Sequence, residues 1–73
     1  GEMDLALRYC TQALEEDPVF EEVHRLIMII QAEMGNRAEV IRQFETCQSF
    51  FIEKFEIEPS QKTRDLYERL IEP

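Results

Sequence analysis

The stretch that decides the fold is "RLIMII", Arg25–Ile30, in which five apolar residues follow one another without a break. A surface helix shows one apolar stripe and a polar back, so five successive apolar residues cannot all lie on one stripe. The run is also too short to cross a bilayer, which takes about 20 residues. Two interpretations stay open from the run itself, a buried strand and a helix with neighbours on more than one side.

The residues around this run favour the helix. Asp17-Pro18 precedes the run, and the residue before a proline avoids the helical region, so one helix ends there and the proline opens the next. Gly35 follows the run and is suited to a left-handed helix end. We therefore predict a helix over residues 19–34, capped by Asp17. Its main apolar face carries residues at helical spacing, namely Val23, Leu26, Ile27, Ile30 and Met34.

Apolar residues at helical spacing predict three further helices, over about 2–16, 37–55 and 61–72. Asn36 with Glu39 forms the pattern of a capping box for the third helix, and Ser60 is the expected cap of the fourth. The predicted inner stripes of these helices are Met3, Ala6, Leu7, Cys10, Ala13 and Leu14, then Val40, Ile41, Phe44, Cys47, Phe51 and Phe55, then Thr63, Leu66, Tyr67, Leu70 and Ile71. The chain is thus predicted to be all-α, one domain over residues 1–73.

The chain also repeats itself. A shift of 34 residues brings Gly1 onto Gly35, and a shift of 40 residues brings Leu26 onto Leu66. The first helix therefore corresponds to the third, and the second to the fourth, in the order B–A–B–A of a helix-hairpin repeat near the tetratricopeptide period. We predict a tetratricopeptide-like, right-handed stack of about four antiparallel helices. In such a stack an A helix packs against the B helix on each side, which explains why "RLIMII" needs apolar residues on two flanks.

Composition excludes several classes of function. Sixteen acidic residues against eight basic ones give a net charge of −8, which opposes binding of nucleic acids and of anionic membranes. No catalytic constellation, phosphate loop or metal-binding spacing is present, so we expect no enzyme activity and no cofactor. Cys10 and Cys47 fall on inner stripes and are predicted to be buried free thiols in a cytoplasmic protein.

Other candidate site residues have plain structural interpretations. His24 is the single histidine and is expected to pack in the core or at its rim rather than act as an acid or base. The carboxylates of residues 15–17 and 21–22 lack the spacing of a calcium loop and are expected to form a solvated acidic patch. Phe50, Phe51 and Phe55 are more typical of core than of a ligand box, and Phe50 is the expected exposed member.

Three residues form the candidate interaction surface, Leu5, Tyr9 and Phe50. Leu5 and Tyr9 lie off the main stripe of the first helix, on the side where a preceding A helix would pack. We predict that they are exposed in an isolated monomer or buried in a self-association interface. The groove lined by the B helices and the acidic end near residues 15–22 are further candidate docking regions.

Nearly the whole chain resembles the C-terminal part of the bacterial transcriptional activator domain. The resemblance is carried by Asp17-Pro18, Glu22-x-His24-Arg25-Leu26, Gly35-Asn36-Arg37-Ala38, Phe44-Glu45-x-Cys47, Ile57-Glu58-Pro59-Ser60 and Leu66-Tyr67. One departure is Phe55-Glu56, where the family usually has Leu-Gly. We therefore expect the turn there to be built differently.

This resemblance implies a tetratricopeptide-like domain that lies downstream of a winged-helix DNA-binding domain in bacterial regulators. In that setting the domain contributes protein–protein contacts or oligomerisation, or couples a sensor to the DNA-binding part. The implied partner is protein, either a second copy or another regulator domain. We accordingly expect the 73 residues to be a segment of a larger regulator. A tetratricopeptide-like scaffold in a non-transcriptional signalling protein is the alternative.

Overall fold

The computed structural model describes residues 1–73 and contains four α-helices and no strand, which confirms the all-α prediction. The helices are α1 (Glu2–Glu16), α2 (Glu21–Glu33), α3 (Arg37–Phe55) and α4 (Gln61–Ile71). α2 begins two residues later than predicted, and its cap is Phe20 rather than Asp17. Asp17 instead organises the turn between α1 and α2, since its Oδ1 accepts from the Val19 N–H at 3.2 Å and its carbonyl accepts from the Phe20 N–H at 3.4 Å.

α2 is the central helix of the fold. It packs against α1, α3 and α4, whereas α1 contacts no helix other than α2. α3 and α4 also pack against each other. These contacts follow the order expected for B–A–B–A helices in a tetratricopeptide-like stack. α2 is therefore the one helix that packs against all three others.

Met28 is the centre of the core. Its side chain is 0% exposed and clusters with Val40 and Phe44. Partly buried side chains that pack against this cluster are Ala32, Leu66, Tyr67, Leu70 and Ile71. The rings of Phe44 and Tyr67 stack with their centroids 4.0 Å apart. We call α1 with α2 the first hairpin and α3 with α4 the second hairpin. Met28 thus connects α2 to both helices of the second hairpin.

The "RLIMII" run is buried on one flank and open on the other. Ile27, Met28 and Ile30 are buried, whereas Leu26 is 46% exposed and Ile29 is also exposed. The predicted inner positions of Leu26, Met34 and Met3 were wrong, because these side chains are exposed. For Leu26 the physical reason is that no helix covers the flank of α2 that carries it. α4 covers the opposite flank.

The predicted helix ends differ in how they are capped. Gly35 has a φ of 77°, which confirms the left-handed turn between α2 and α3. Asn36 is the N-cap of α3 but makes no capping hydrogen bond, and its side-chain amide donates to Gln31 Oε1 at 3.0 Å. The predicted capping box is therefore wrong. Ser60 does cap α4, since its Oγ accepts from the Thr63 N–H.

Glu56 makes the turn that follows α3. It has φ 57° and ψ 34°, and its N–H donates to the Ile52 carbonyl at 2.9 Å. This is the left-handed helix end that a glycine makes most easily. The expectation that this turn is built differently is therefore wrong. The turn is of the left-handed type that the Leu-Gly pattern suggests, and Glu56 adopts the left-handed conformation in place of glycine.

We expect Glu56→Gly to stabilise the domain by about 0.5–1 kcal/mol, because glycine carries no steric cost in this conformation and only a part of the gain is offset in the unfolded chain. Chemical denaturation of both proteins measures the change. Glu53→Gly, inside α3, is the matched control and is expected to lose about 1 kcal/mol. A loss of stability in both variants would contradict the strain at Glu56.

Candidate interaction surface

One end of the helix stack is apolar and uncovered. Leu5 and Tyr9 on α1 are 47% and 63% exposed, and Ala13 continues their row at a spacing of four residues. Beside this row lies a cleft of about 410 Å³ whose walls are formed by Ala13, Phe20, Glu22, Val23 and Leu26. We call the six apolar members of this surface the apolar end face: Leu5, Tyr9, Ala13, Phe20, Val23 and Leu26.

The opposite end of the stack is charged. The shallow surface along α4 is lined by Lys62, Asp65, Glu68, Arg69 and Glu72, with no apolar side chain. We call this surface the charged end face. Under the shift of 40 residues, Met28 corresponds to Glu68. The position that α2 uses to bury a methionine against α3 and α4 is therefore a carboxylate on α4, and this surface of α4 is polar.

A hydrogen-bonded cluster around Glu21 joins α2 to α4. Glu21 Oε1 accepts from the Ser60 N–H at 2.7 Å, from Ser60 Oγ at 2.6 Å and from Thr63 Oγ1. Arg25 Nη1 donates to Thr63 Oγ1 at 2.8 Å and lies 3.8 Å from Glu21 Oε1. Burial alone raises the pKa of Glu21, but the hydrogen bonds from Ser60 and Thr63 and the charge of Arg25 outweigh burial and lower the pKa.

The predicted solvated acidic patch is therefore wrong for Glu21, whose carboxylate fixes the start of α4 against α2. Glu15, Glu16 and Glu22 are exposed, as predicted. Nowhere in the chain do three or more His, Cys, Asp or Glu side chains converge as metal ligands would.

His24 is buried, as predicted, and both ring nitrogens are hydrogen-bonded. Nε2 lies 2.9 Å from the Pro18 carbonyl, and Nδ1 lies 2.8 Å from Gln43 Nε2. Since a carbonyl only accepts and an amide nitrogen only donates, the neutral tautomer with its proton on Nε2 satisfies both contacts. Burial lowers the pKa of His24, and the Pro18 hydrogen bond and the Glu21 charge oppose this only in part. His24 thus connects the Asp17–Phe20 turn to α3.

We expect the stability of the domain to fall as the pH drops below 6.5, the ordinary pKa of histidine. The unfolded chain binds a proton at His24 more tightly than the folded one, so stability from the neutral ring is complete above that pH and is lost below it. Thermal unfolding between pH 7 and about 5 measures the effect. In His24→Gln this part of the pH dependence should vanish, and an unchanged slope would contradict the assignment.

A second cleft lies between α1 and α3, with α2 as its floor. Its volume is about 390 Å³, and its lining includes Leu14, His24, Ile27 and Phe50. Phe50 is half-buried, whereas Phe55 is 45% exposed. The prediction that Phe50 is the exposed phenylalanine and Phe55 a core residue was therefore wrong. Phe55 is the last residue of α3, and its ring centroid lies 5.8 Å from that of Phe51.

The cysteines are both free and buried, as predicted. Burial raises the pKa of Cys10. Burial, with the nearby Glu21 charge, raises the pKa of Cys47 to about 12. Neither thiol therefore has the exposed, electropositive surroundings that are typical of a reactive cysteine.

The structure separates the three predicted interaction residues. Leu5 and Tyr9 share the apolar end face, whereas Phe50 lies in the cleft between α1 and α3. Sequence reasoning missed Phe20 and Val23. The signal was present in the repeat, because the shift of 40 residues places Phe20 on Ser60 and Val23 on Thr63. At the two positions where the second hairpin has a hydroxyl that hydrogen-bonds to α2, the first hairpin thus has an apolar residue.

The fold and its two unlike ends define a helical-repeat domain with one open apolar face. The family model of the bacterial transcriptional activator domain matches residues 1–71. The chain belongs to this family, and the protein is therefore of the transcriptional activator type. No curated protein matches the chain, and no solved structure does. No helix has the length and apolar character needed to span a membrane.

Proposed function

We propose that this domain is a protein-interaction module of a bacterial transcriptional regulator, which couples signal input to a separate DNA-binding domain. The observation that carries the proposal is the apolar end face, on which Leu5, Tyr9, Phe20 and Leu26 are all exposed. Contiguous apolar surface of this kind marks contact with other protein. Family membership favours this role over that of a scaffold in a non-transcriptional protein.

The electrostatics of the domain support a contact with protein rather than with DNA. The net charge is −8, and a surface that binds phosphates needs concentrated positive charge. Another domain of the regulator therefore binds the promoter DNA. The domain described here acts in the cytoplasm, through the contact that its apolar end face makes. Its partner is another domain of the regulator.

A promoter reporter tests this role. In the natural regulator, Leu5→Ser combined with Tyr9→Ser should reduce activation at least about tenfold, because loss of one buried large side chain removes about 1.5–3 kcal/mol and 1.4 kcal/mol is a factor of ten. Both side chains are exposed in the isolated domain, so its thermal unfolding should not change.

The matched control is Lys62→Ser combined with Glu68→Ser on the charged end face, which should leave activation unchanged. If the Leu5→Ser, Tyr9→Ser variant activated the promoter as fully as this control, the proposed function would be overturned. Equal loss in both would also count against it, since the effect would then not be specific to the apolar end face.

A further inference from the structure

The cleft between α1 and α3 is a second opening with apolar walls, separate from the apolar end face. Its floor includes Ile27 of α2, which is buried, and its walls include Leu14 of α1 and Phe50 of α3, which are half-buried. Its volume is about 390 Å³, within the range of about 300–1,000 Å³ for pockets that enclose a bound group. The cleft is therefore large enough to take a large apolar side chain.

The polar groups in the floor of the cleft already have partners. Both ring nitrogens of His24 are hydrogen-bonded, and one of these bonds comes from Gln43 Nε2. The Thr46 hydroxyl donates to the Arg42 carbonyl at 2.9 Å. These bonds leave little in the floor to recognise a polar group, which would lose its hydrogen bonds with water on entering. The lining therefore favours an apolar occupant.

Carboxylates stand at the end of α1 beside the cleft. Glu15 lines the cleft, and Glu16 and Asp17 follow it as the last residue and the C-cap of α1. The last turn of α1 has no basic residue, although the C-terminus of a helix favours cations. Glu15 and Glu16 are exposed, and neither takes part in a salt bridge. These charges destabilise α1 in the isolated domain, and a cationic partner would remove that cost.

The charges along the cleft are arranged by sign. α1 and α3 are each joined to α2 by a short turn and run antiparallel to it, so they run in the same direction. Arg8 and Arg42 lie towards the start of these two helices, whereas Glu15 and Glu53 lie towards their ends. Glu45 lies between the two groups on α3. The cations of a partner are therefore attracted to the end of the cleft that carries Glu15 and Glu53.

A second copy of this chain does not have the matching chemistry. Its net charge is −8, the same sign as the end of the cleft that lacks cations. Its charged end face carries Lys62 and Arg69 but no apolar side chain that could enter the cleft. Beside its apolar end face the charged residue is Glu22, which would meet like charge. The occupant is therefore a segment of a different protein.

We propose that the cleft between α1 and α3 is a docking site for a basic segment of a partner protein. The segment places a large apolar side chain between Leu14 and Phe50, and lysines or arginines beside Glu15 and Glu53. This contact goes beyond the proposed function, because it uses a different surface and a partner of different charge. The domain then makes two contacts of unlike chemistry, one through the apolar end face and one with a cationic segment.

Tryptophan fluorescence tests the inference, because the chain contains no tryptophan. The probe is a synthetic alanine-based peptide with one tryptophan followed by lysines, and the control peptide has glutamates in place of the lysines. The emission of the lysine peptide should shift to the blue as the chain is added. This peptide should bind at least about tenfold more tightly than the control, which corresponds to 1.4 kcal/mol, and added salt should weaken its binding. Equal binding of the two peptides, or no blue shift with either, would overturn the inference.

Thr46→Phe locates the peptide in the cleft. Thr46 is exposed and lines the cleft, so a phenylalanine there fills the cleft without entering the core, and thermal unfolding checks that the variant is folded. The affinity for the lysine peptide should fall at least about tenfold. Thr11→Phe, from the opposite wall, should have the same effect, whereas Tyr9→Ser on the apolar end face should have none. Unchanged affinity in the filled clefts, or a loss in Tyr9→Ser, would contradict this placement.

Glu15→Gln combined with Glu16→Gln separates binding from stability. The double variant should unfold at a higher temperature, because it removes anions from the end of a helix, and should bind the lysine peptide at least about threefold more weakly. Glu2→Gln is the matched control at the start of α1, and it should lower the unfolding temperature and leave the affinity unchanged. An unchanged affinity or a lower unfolding temperature in the double variant would assign these carboxylates a structural role and overturn the inference.

Discussion

Met28→Ala is expected to lower the free energy of unfolding by about 2–5 kcal/mol, the range for truncating a buried large side chain to alanine. Met28 is 0% exposed and lies among Val40, Phe44 and the apolar side of α4. Its contacts tie α2 to both helices of the second hairpin, so the cavity opens where three helices meet. Small domains have total stabilities near 5 kcal/mol, and much of the variant should be unfolded at 37 °C.

Denaturation followed by circular dichroism measures this loss, and Ile29→Ala is its matched control. Ile29 follows Met28 in the chain but lies on the exposed side of α2, so its truncation should cost less than about 1 kcal/mol. Similar losses in the two variants would show that α2 is not oriented as described, with Met28 inward and Ile29 outward.

Glu21→Ala is expected to cost about 1.5–3 kcal/mol, the range for hydrogen bonds to a charged group. The substitution removes the acceptor of Ser60 N–H, Ser60 Oγ and Thr63 Oγ1 together. It also leaves the buried Thr63 hydroxyl with Arg25 and the Ser60 hydroxyl as its remaining side-chain partners. Urea denaturation at pH 7 gives the value.

Glu22→Ala provides the comparison, because Glu22 is the adjacent carboxylate and is exposed. Its truncation should stay within about 0.5 kcal/mol of the parent. The difference between the two variants should shrink as the pH falls below 4.5, since stability from a carboxylate of lowered pKa is present above its unfolded pKa and is lost as the carboxylate is protonated. A constant difference down to pH 3 would contradict the cluster.

The helices follow from local signals in the sequence. Pro18, Gly35 and Ser60 mark helix boundaries through backbone restrictions that act within a few residues. The start of α2 was misplaced because the Asp17 side chain bonds to the turn and not to the helix. Neighbouring backbone N–H groups compete for the Asp17 carboxylate, and the spacing of apolar residues does not show which of them it accepts from.

The interaction surface was predictable only in part. Tyr9 and Leu5 fall off the stripe of α1 by helical spacing alone, which is why their exposure could be expected. Leu26 lies within the apolar stripe of α2 and is nevertheless open, because spacing reports which side of a helix is apolar and not whether another helix covers it. The bonds of Glu21 to residues 39 and 42 positions away likewise depend on the tertiary arrangement.

Amide hydrogen exchange tests the central claim, that the apolar end face joins this domain to the rest of the regulator. In the isolated chain α1 should exchange fastest of the four helices, since it contacts only α2, and the amides around Met28 should exchange slowest. In the whole regulator protection of α1 should rise while that of α4 stays the same. If α1 is no better protected in the regulator than in the isolated chain, the apolar end face is not the contact.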